Sequence, residues 1–229
     1  MISRLRLFLL VAMLSCLGLL ASCTPPSPSS PQPSPTLSAE EHAQHAENFV
    51  FHRDLEQAAT EYQLAILADP LETAYYLRRA EILEILGRDL EARKTYTDAL
   101  LDSAPNQNQS DLLHHRLILL LTLKLAEPQE AAALLPHLPE GAFLYVDASG
   151  ALALARGQIA LALDRFTLAQ HLGRDNDEQA LALYHVALAY HLLNDEKSTS
   201  VALYYAINLA ENAALIRDIE RLWELVSTP

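Results

Sequence analysis

The sequence is poor in glycine and in aromatic residues: it has six glycines in 229 residues, and Phe, Trp and Tyr together make up 7%. β-Sandwiches and barrels need turn glycines and strands rich in aromatic or β-branched residues, so this composition argues against both. Hydrophobic residues nevertheless account for 51% of the chain, which is enough to bury a large core. The composition therefore predicts an all-α fold.

Positive charge is also scarce. The chain has 16 lysines and arginines against 29 acidic residues, which gives a formal net charge of −13. Domains that bind nucleic acid need a basic footprint, and anionic lipid headgroups attract only basic segments. We therefore predict no nucleic-acid partner, and any membrane attachment must be covalent or apolar.

The sequence also lacks the short motifs of common catalytic and cofactor sites. It contains no G-x-G-x-x-G, P-loop, H-E-x-x-H or G-x-S-x-G sequence. The run Asp175-Asn176-Asp177-Glu178 lacks the glycine and the spacing of a calcium loop, and helix capping by Asp175 or Asp177 explains it better. The prediction is a protein without catalytic activity, cofactor or metal.

The N-terminal segment, residues 1–22, is typical of a signal peptide. Two arginines precede fifteen mostly apolar residues, a stretch too short to span a membrane comfortably, and small residues follow. The segment runs into Leu20-Ala21-Ser22-Cys23, which resembles the bacterial lipobox. That resemblance implies cleavage before Cys23 and acylation of its thiol and new amino group, with fatty acids such as palmitate. The alternative is an ordinary secretory signal that leaves Cys23 free.

Residues 23–37 form a proline- and serine-rich segment. It holds six of the twelve prolines, each of which removes a backbone donor and restricts the residue before it. Such a segment cannot be helical, and as polyproline II it would reach ~40 Å at ~3.1 Å per residue. We interpret it either as a tether that holds the following domain clear of a membrane or as plain disorder.

A helical repeat occupies residues 38–211. Within residues 73–106 the small residues Ala80, Ala92 and Ala99 alternate with bulky ones, and Gly87 separates two predicted helices. A shift of 34 residues toward the N-terminus aligns this unit with a first one in residues 39–72. In that shift Ala46, Ala58, Tyr62 and Ala65 match Ala80, Ala92, Tyr96 and Ala99.

The later units follow the same pattern less closely. Ser38 and Glu41 predict a capping box at the first helix. The units start at about 39, 73, 107, 143 and 180, and the third is the most degenerate because residues 106–110 read as a linker and Pro136 shortens its second helix. In the fifth unit Thr199 replaces the alanine expected where the helices cross, so we expect looser packing there.

Residues 212–229 predict a single amphipathic helix that covers the exposed end of the last repeat. Its apolar positions are Leu215, Ile219, Leu222, Trp223 and Val226.

A period of 34 residues with this pattern of small residues resembles the tetratricopeptide repeat. The resemblance implies a right-handed superhelical solenoid of about five helical hairpins plus a C-terminal capping helix. It places His42 and His45 on the core side of the first helix, which favours packed histidines over metal ligands. It also implies a groove for a protein or peptide, lined by the first helix of each hairpin.

Matching the family's groove positions residue by residue gives a groove that is acidic and mixed toward the N-terminus and mostly apolar toward the C-terminus. A partner with a basic and an apolar portion would suit it. The alternative is that its C-terminal part is covered by the last helix or belongs to the core. The candidate groove residues are Glu47, Phe51, Leu77, Glu81, Glu84, Asp147, Leu154, Tyr184, Leu188 and His191.

Together the lipobox and the repeat resemble bacterial lipoproteins that serve pilus assembly, outer-membrane protein assembly or the scaffolding of peptidoglycan hydrolases. Thr24 after Cys23, rather than aspartate, resembles the pattern that sorts lipoproteins to the outer membrane. The expectation is an adaptor anchored in the inner leaflet of the outer membrane and facing the periplasm. Two alternatives are a self-associating structural protein of the envelope and a glycan-binding accessory subunit of a peptidoglycan enzyme.

Overall fold

The computed structural model describes residues 37–227, which form eleven α-helices and, within that range, no β-strand. The signal peptide, Cys23 and almost all of the tether lie outside the described residues. A π-helical segment, Leu120–Lys124, continues the fifth helix, and a 3-10 turn, Leu135–His137, follows the sixth. The helices are α1 Ala39–Phe51, α2 Leu55–Ala68, α3 Thr73–Ile85, α4 Asp89–Asp102, α5 Gln107–Leu119, α6 Pro128–Leu134, α7 Phe143–Ala155, α8 Ile159–Leu172, α9 Asn176–Leu192, α10 Glu196–Leu209 and α11 Ala213–Ser227.

Consecutive helices pack in antiparallel pairs, α1 with α2 through α9 with α10, and each pair also packs on the next. The predicted all-α solenoid of five hairpins with one further helix at the C-terminal end is therefore confirmed. Among the described residues no helix is both long enough and apolar enough to cross a lipid bilayer.

Small residues allow the paired helices to approach each other. Ala46, Ala58, Ala80 and Ala92 are completely buried, and a side chain larger than alanine at these places would push the helices apart. Gly150 is the extreme case, because a Cβ atom there would lie 2.6 Å from the ring of Phe166. The predicted pattern of small residues thus sets the spacing of the helices.

Each hairpin turns through one residue with a positive φ angle. These residues are Arg53, Gly87, Ala126, Gly157 and Asn194, with φ between 55° and 73°. After four of them the next amide donates to the carbonyl five residues earlier, as in Arg88 to Leu83 at 2.8 Å. In the third unit the amide of Glu127 reaches back six residues, because the π-helical segment there accommodates one more residue than an α-helix does.

The third unit starts where expected, but its first helix begins earlier than predicted. Residues 106–110, predicted as a linker, form the start of α5, because the side chains of Asn106 and Gln109 each accept the other's backbone amide in a capping box. The capping box predicted at Ser38 is present. The early end of α6 is also confirmed, since Pro136 lies in the 3-10 turn that follows it.

The fifth unit is packed as closely as the others. Thr199, Leu203 and Ala206 are completely buried, and the Thr199 hydroxyl donates to the Asp195 carbonyl at 2.8 Å. The expectation of looser packing was therefore wrong, because a threonine that satisfies its hydroxyl within its own helix fits a space made for alanine. Asn194 takes the place of the turn glycine, since asparagine tolerates the left-handed conformation.

The last helix, α11, packs against α9 and α10. Leu215, Ile219 and Leu222 are buried, and Trp223 and Val226 pack beside them. Its amphipathic pattern therefore predicted both its existence and its buried face.

Candidate functional site: the inner groove

The first helices of the second to fifth hairpins and the last helix surround one cavity of about 390 Å³. Helices α3, α5, α7 and α9 supply its floor and walls, and α11 closes one side. We call this cavity the inner groove. Its apolar lining consists of Ile85, Leu112, Leu119, Leu123, Phe143, Leu144, Leu181, Tyr184, Leu188, Ala214 and Leu215.

Four of the ten candidate groove residues line the inner groove: Glu81, Glu84, Tyr184 and Leu188. Tyr184 and Leu188 also pack against the cluster that contains Leu215 of the last helix. The C-terminal part of the groove is thus partly covered by α11, which is the alternative that the sequence left open.

Four other candidates lie away from this cavity. Glu47 forms an ion pair with Arg78 at 2.8 Å and accepts a hydrogen bond from Tyr62. Phe51 is 82% exposed at the end of α1. Leu77 and His191 are partly exposed on α3 and α9.

Asp147 and Leu154 do not face a groove, and their assignment to one was wrong. Asp147 is completely buried and Leu154 is 7% exposed. Helix α7 is packed between α5, α8 and α9. Asp147, the fifth residue of the unit that starts at residue 143, therefore points at neighbouring helices and not at solvent.

Asp147 is held between two histidines. Its carboxylate accepts hydrogen bonds from His115 Nε2 at 2.8 Å and from His185 Nδ1 at 2.7 Å, and both rings are 1% exposed. This buried cluster ties α5, α7 and α9 together at the base of the inner groove, because both histidines also line the cavity.

Burial of Asp147 acts to raise the pKa of its carboxyl, but the adjacent His185 and the hydrogen bonds from both rings outweigh it and hold that pKa well below its usual range. For His115 burial prevails over the hydrogen bond to Asp147 and lowers its pKa. The arrangement at neutral pH is an ionised Asp147 and a neutral His115 whose Nε2 carries the proton.

The N-terminal wall of the groove holds two cations, each beside a glutamate. Lys124 Nζ lies 3.0 Å from Glu84, which also accepts a hydrogen bond from the Tyr96 hydroxyl at 2.7 Å. Arg116 lies 3.8 Å from Glu81. The positive and negative charges cancel within each pair, so the two pairs contribute no net charge to the groove.

The C-terminal wall carries acids beside the apolar side chains expected there, which include Tyr184 and Leu188. Asp175 caps α9 and Asp177 accepts the amides of Glu211 and Asn212. On the facing helix, burial raises the pKa of Asp218, and the nearby Lys124 and Arg221 offset this only in part. The repeat pattern did not assign these acids to the groove, because they belong to helix caps and to the last helix rather than to repeat positions.

The described residues contain no group of three or more histidine, cysteine, aspartate or glutamate side chains that could hold a metal ion. His42 is partly buried and lies 2.7 Å from Glu61. His45 is exposed, so its predicted place on the core side of α1 was wrong.

The third unit contributes the residues that sequence reasoning overlooked. His115, Arg116, Leu112 and Lys124 line the groove, yet their unit is the most degenerate repeat. The adjacent pair His114-His115 was the only local signal, and it was weak, since adjacent rings face different ways on a helix and their spacing does not show which of them is buried.

No protein-family model matches the chain, and no curated protein is similar to its sequence. Solved structures do show likeness. A chain of the APC/C hetero-tetramer Cut9–Hcn1 matches 82% of this chain with 17% identity and a TM-score of 0.58, although this chain spans only 36% of that one.

Two further structures match over most of both chains. PilW, described as a widely conserved type IV pilus biogenesis factor, is 18% identical with a TM-score of 0.55, over 81% of this chain and 86% of its own. PilF of Pseudomonas aeruginosa is 17% identical with a TM-score of 0.51, over 80% and 82%. Together with the five hairpins and their small-residue crossings, these likenesses show that the chain has the tetratricopeptide-repeat fold.

Proposed function

We propose that this protein is a lipid-anchored scaffold of the bacterial cell envelope that holds a segment of a partner protein in its inner groove. The observation that carries the proposal is the groove itself. A cavity of about 390 Å³ with an apolar lining and fixed polar groups is within the range that proteins use for ligands.

The groove favours a partner that is both apolar and basic. Its walls can bury aliphatic side chains of the partner, and this burial contributes to the binding free energy at ~25 cal/mol per Å² of apolar surface. Its acidic C-terminal wall orients a positively charged segment. A peptide that alternates the two kinds of residue would satisfy both walls.

The anchor is proposed from the sequence. The lipobox ending in Cys23 supports acylation, and more than one acyl chain gives stable membrane attachment. The likeness to PilW supports a role beside envelope machinery, because that protein of the same fold and similar extent is a pilus biogenesis factor. In this proposal the repeat domain faces the periplasm from the outer membrane.

A second candidate function is self-association. Helix α10 exposes Val201, Tyr204 and Tyr205 at 50 to 56%, and Leu168 on α8 is 44% exposed. Aromatic and aliphatic side chains on outer helices are typical of contacts between subunits. Light scattering after size exclusion separates the two functions, since a monomer excludes self-association.

Photo-crosslinking in the native cell tests the groove. A photoreactive residue in place of Leu112 should yield one defined crosslinked protein, and the double change Ile85→Asp with Leu144→Asp should remove it. The matched control is Leu90→Asp with Leu101→Asp, two exposed leucines on α4. Crosslinking that survives the groove variant, or that the control also removes, would contradict the proposal.

Fractionation tests the anchor. Cys23→Ala should move the protein from the membrane fraction to the soluble fraction or leave it unprocessed. An unchanged distribution would show that the attachment, if any, does not use Cys23.

A further inference from the structure

A buried cluster of three side chains holds the helices at the base of the inner groove. We call His115, Asp147 and His185 the histidine–aspartate cluster, and all three side chains are at most 1% exposed. On each helix, residues one turn away from the cluster line the groove. They are Leu112 and Leu119 on α5, Phe143 and Leu144 on α7, and Leu181 and Leu188 on α9. The cluster therefore fixes the positions of three helices that form the groove.

The closed cluster has no place for a second proton on His115. Its Nε2 donates to Asp147 at 2.8 Å, while Nδ1 is buried and has no hydrogen-bond partner among the described residues. A proton on Nδ1 would leave an N–H group without an acceptor and a positive charge away from water, which is costly. A proton added to His185, by contrast, leaves the bond from its Nδ1 to Asp147 intact and balances the charge of the carboxylate. Protonation of His115 therefore requires α5 and α7 to separate.

The groups that face His115 give the same direction. Burial lowers the pKa of His115 more than Asp147 on α7 raises it, and Arg116 on α5 and His185 on α9 lower it further. The ring of Phe143, 6.2 Å away on α7, adds an apolar neighbour. Asp147 stays ionised in mild acid, because the two histidines hold the pKa of its carboxyl well below the usual range. Among these groups His115 is the one that mild acid can protonate only in an opened structure.

Other charged or titratable groups on the surrounding helices have partners of their own or face solvent. The paired groups are Glu81 with Arg116, Tyr96 and Lys124 with Glu84, Asp111 with Gln107, and Asp175 with the amide of Glu178. The exposed groups on α8 are Asp164 and Arg165. His114, the neighbour of His115, donates from Nδ1 to the Ser110 carbonyl at 2.8 Å and stacks on His137. Since His114 does not line the groove, it serves as a control for His115.

We propose that the histidine–aspartate cluster is a proton-sensitive switch, in which uptake of a proton by His115 favours separation of α7 from α5 and α9 and thereby speeds release of the bound partner. This inference rests on the proposed function and adds pH as the condition that regulates it. In the open form His115 titrates near its ordinary pKa of about 6.5, so the equilibrium constant for opening should rise about tenfold between about pH 7.5 and about pH 5.5. A partner that leaves through the open form should dissociate faster by the same factor.

Thiol labelling at buried sites measures the opening. Ala148→Cys places a thiol directly after Asp147 on α7, and Ala46→Cys places one at an equally buried site on α1. Residues 24–229 contain no cysteine, so mass spectrometry assigns the labelled peptide of each full-length variant in detergent micelles. The labelling rate at position 148 relative to position 46 should rise about tenfold or more between about pH 7.5 and about pH 5.5. An unchanged ratio would overturn the proposal.

Two neighbouring histidines localise the switch. Glutamine retains a donor for Asp147 but takes up no proton, so His115→Gln should remove most of the rise in the labelling ratio. His114→Gln should retain a rise of about tenfold. Circular dichroism shows whether each variant is folded, and if His115→Gln is not, the ratio in His114→Gln decides. Loss of the rise in His114→Gln, or its full retention in a folded His115→Gln protein, would overturn the proposal.

Dissociation of the crosslinkable complex separates a failure of this inference from a failure of the proposed function. Membranes that carry the photoreactive residue in place of Leu112 are dissolved in detergent, diluted and illuminated at intervals. The crosslink should disappear about tenfold faster at about pH 5.5 than at about pH 7.5. Equal rates would show that the cluster does not regulate release, and the proposal would be wrong. If no crosslink forms even before dilution, the scaffold function fails, while the labelling ratio still decides whether the cluster opens with acid.

Discussion

The first two hairpins and the last three differ in where they place charged side chains. In residues 39–102 the charged groups of the inner helices stay at least partly exposed, as in the pair of Glu47 and Arg78, both about half exposed. In the last three hairpins a histidine, an aspartate and another histidine pair inside the core. In both regions, nonetheless, small residues lie where the two helices of a hairpin cross.

This difference shows what the repeat pattern specifies. Small residues determine how helices of a hairpin cross, and that holds from Ala46 to Ala206. They do not determine which side of an inner helix becomes interior. The fifth position of a unit is partly exposed in Leu77 and completely buried in Asp147, because the neighbours of α7 enclose it more fully.

The strongest test of this comparison removes the buried anion. Asp147→Ala should destabilise the protein by about 3–5 kcal/mol, because it leaves two buried histidines without their partner. Glu47→Ala, which removes a half-exposed pair, should cost about 1 kcal/mol or less. Urea denaturation measures both. Similar costs for the two changes would mean that burial does not distinguish the two regions.

Overpacking the helix crossings should affect both regions equally. Ala92→Leu and Thr199→Leu should each cost roughly 1–3 kcal/mol, since both sites are completely buried. Thermal denaturation compares them, with the exposed site Thr97→Leu on α4 as a control expected to cost little. A clearly smaller cost at Thr199 would restore the looser packing that the sequence suggested.

Acid should weaken the C-terminal region first. Burial lowers the pKa values of His114 and His115 on α5, so the unfolded chain binds more protons than the folded one once the pH falls below about 6.5. Stability should therefore begin to fall as the pH drops through the ordinary histidine pKa of about 6.5, above the range in which carboxyl groups titrate. It should go on falling until the lowered folded-state pKa values are passed. Hydrogen exchange should show the loss in α5 and α7 before α1 and α2. Equal loss in all four helices would contradict this.

The smallest effects concern the turns. Arg53→Gly and Ala126→Gly should each stabilise the protein by roughly 0.5–1 kcal/mol. Glycine removes the strain that a side chain suffers in the left-handed conformation, and this gain exceeds the loss that comes from the greater freedom of glycine in the unfolded chain. Asn194→Gly should be nearly neutral. Melting temperatures measure all three, and a destabilising Ala126→Gly would show that this turn carries no strain.

The sequence predicted the fold well because the small residues, turn signals and caps that define hairpins are local. It predicted the site only in part. Glu81 and Tyr184 follow the repeat and line the groove, whereas Asp218 depends on how α11 folds back over α9. His115 belongs to a unit whose repeat pattern is weak. Whether Asp218 and His115 line the groove depends on contacts between helices that are distant in sequence, and a local sequence pattern does not predict such contacts.

The π-helical segment Leu120–Lys124 shows how a repeat array tolerates an inserted residue. The additional residue is taken up inside the inner helix, so the turn at Ala126 keeps its left-handed conformation and the next hairpin stacks as usual. The segment also presents Leu123 and Lys124 to the groove. A binding surface can therefore diversify by single insertions on its concave side while the outer helices and their stacking stay the same.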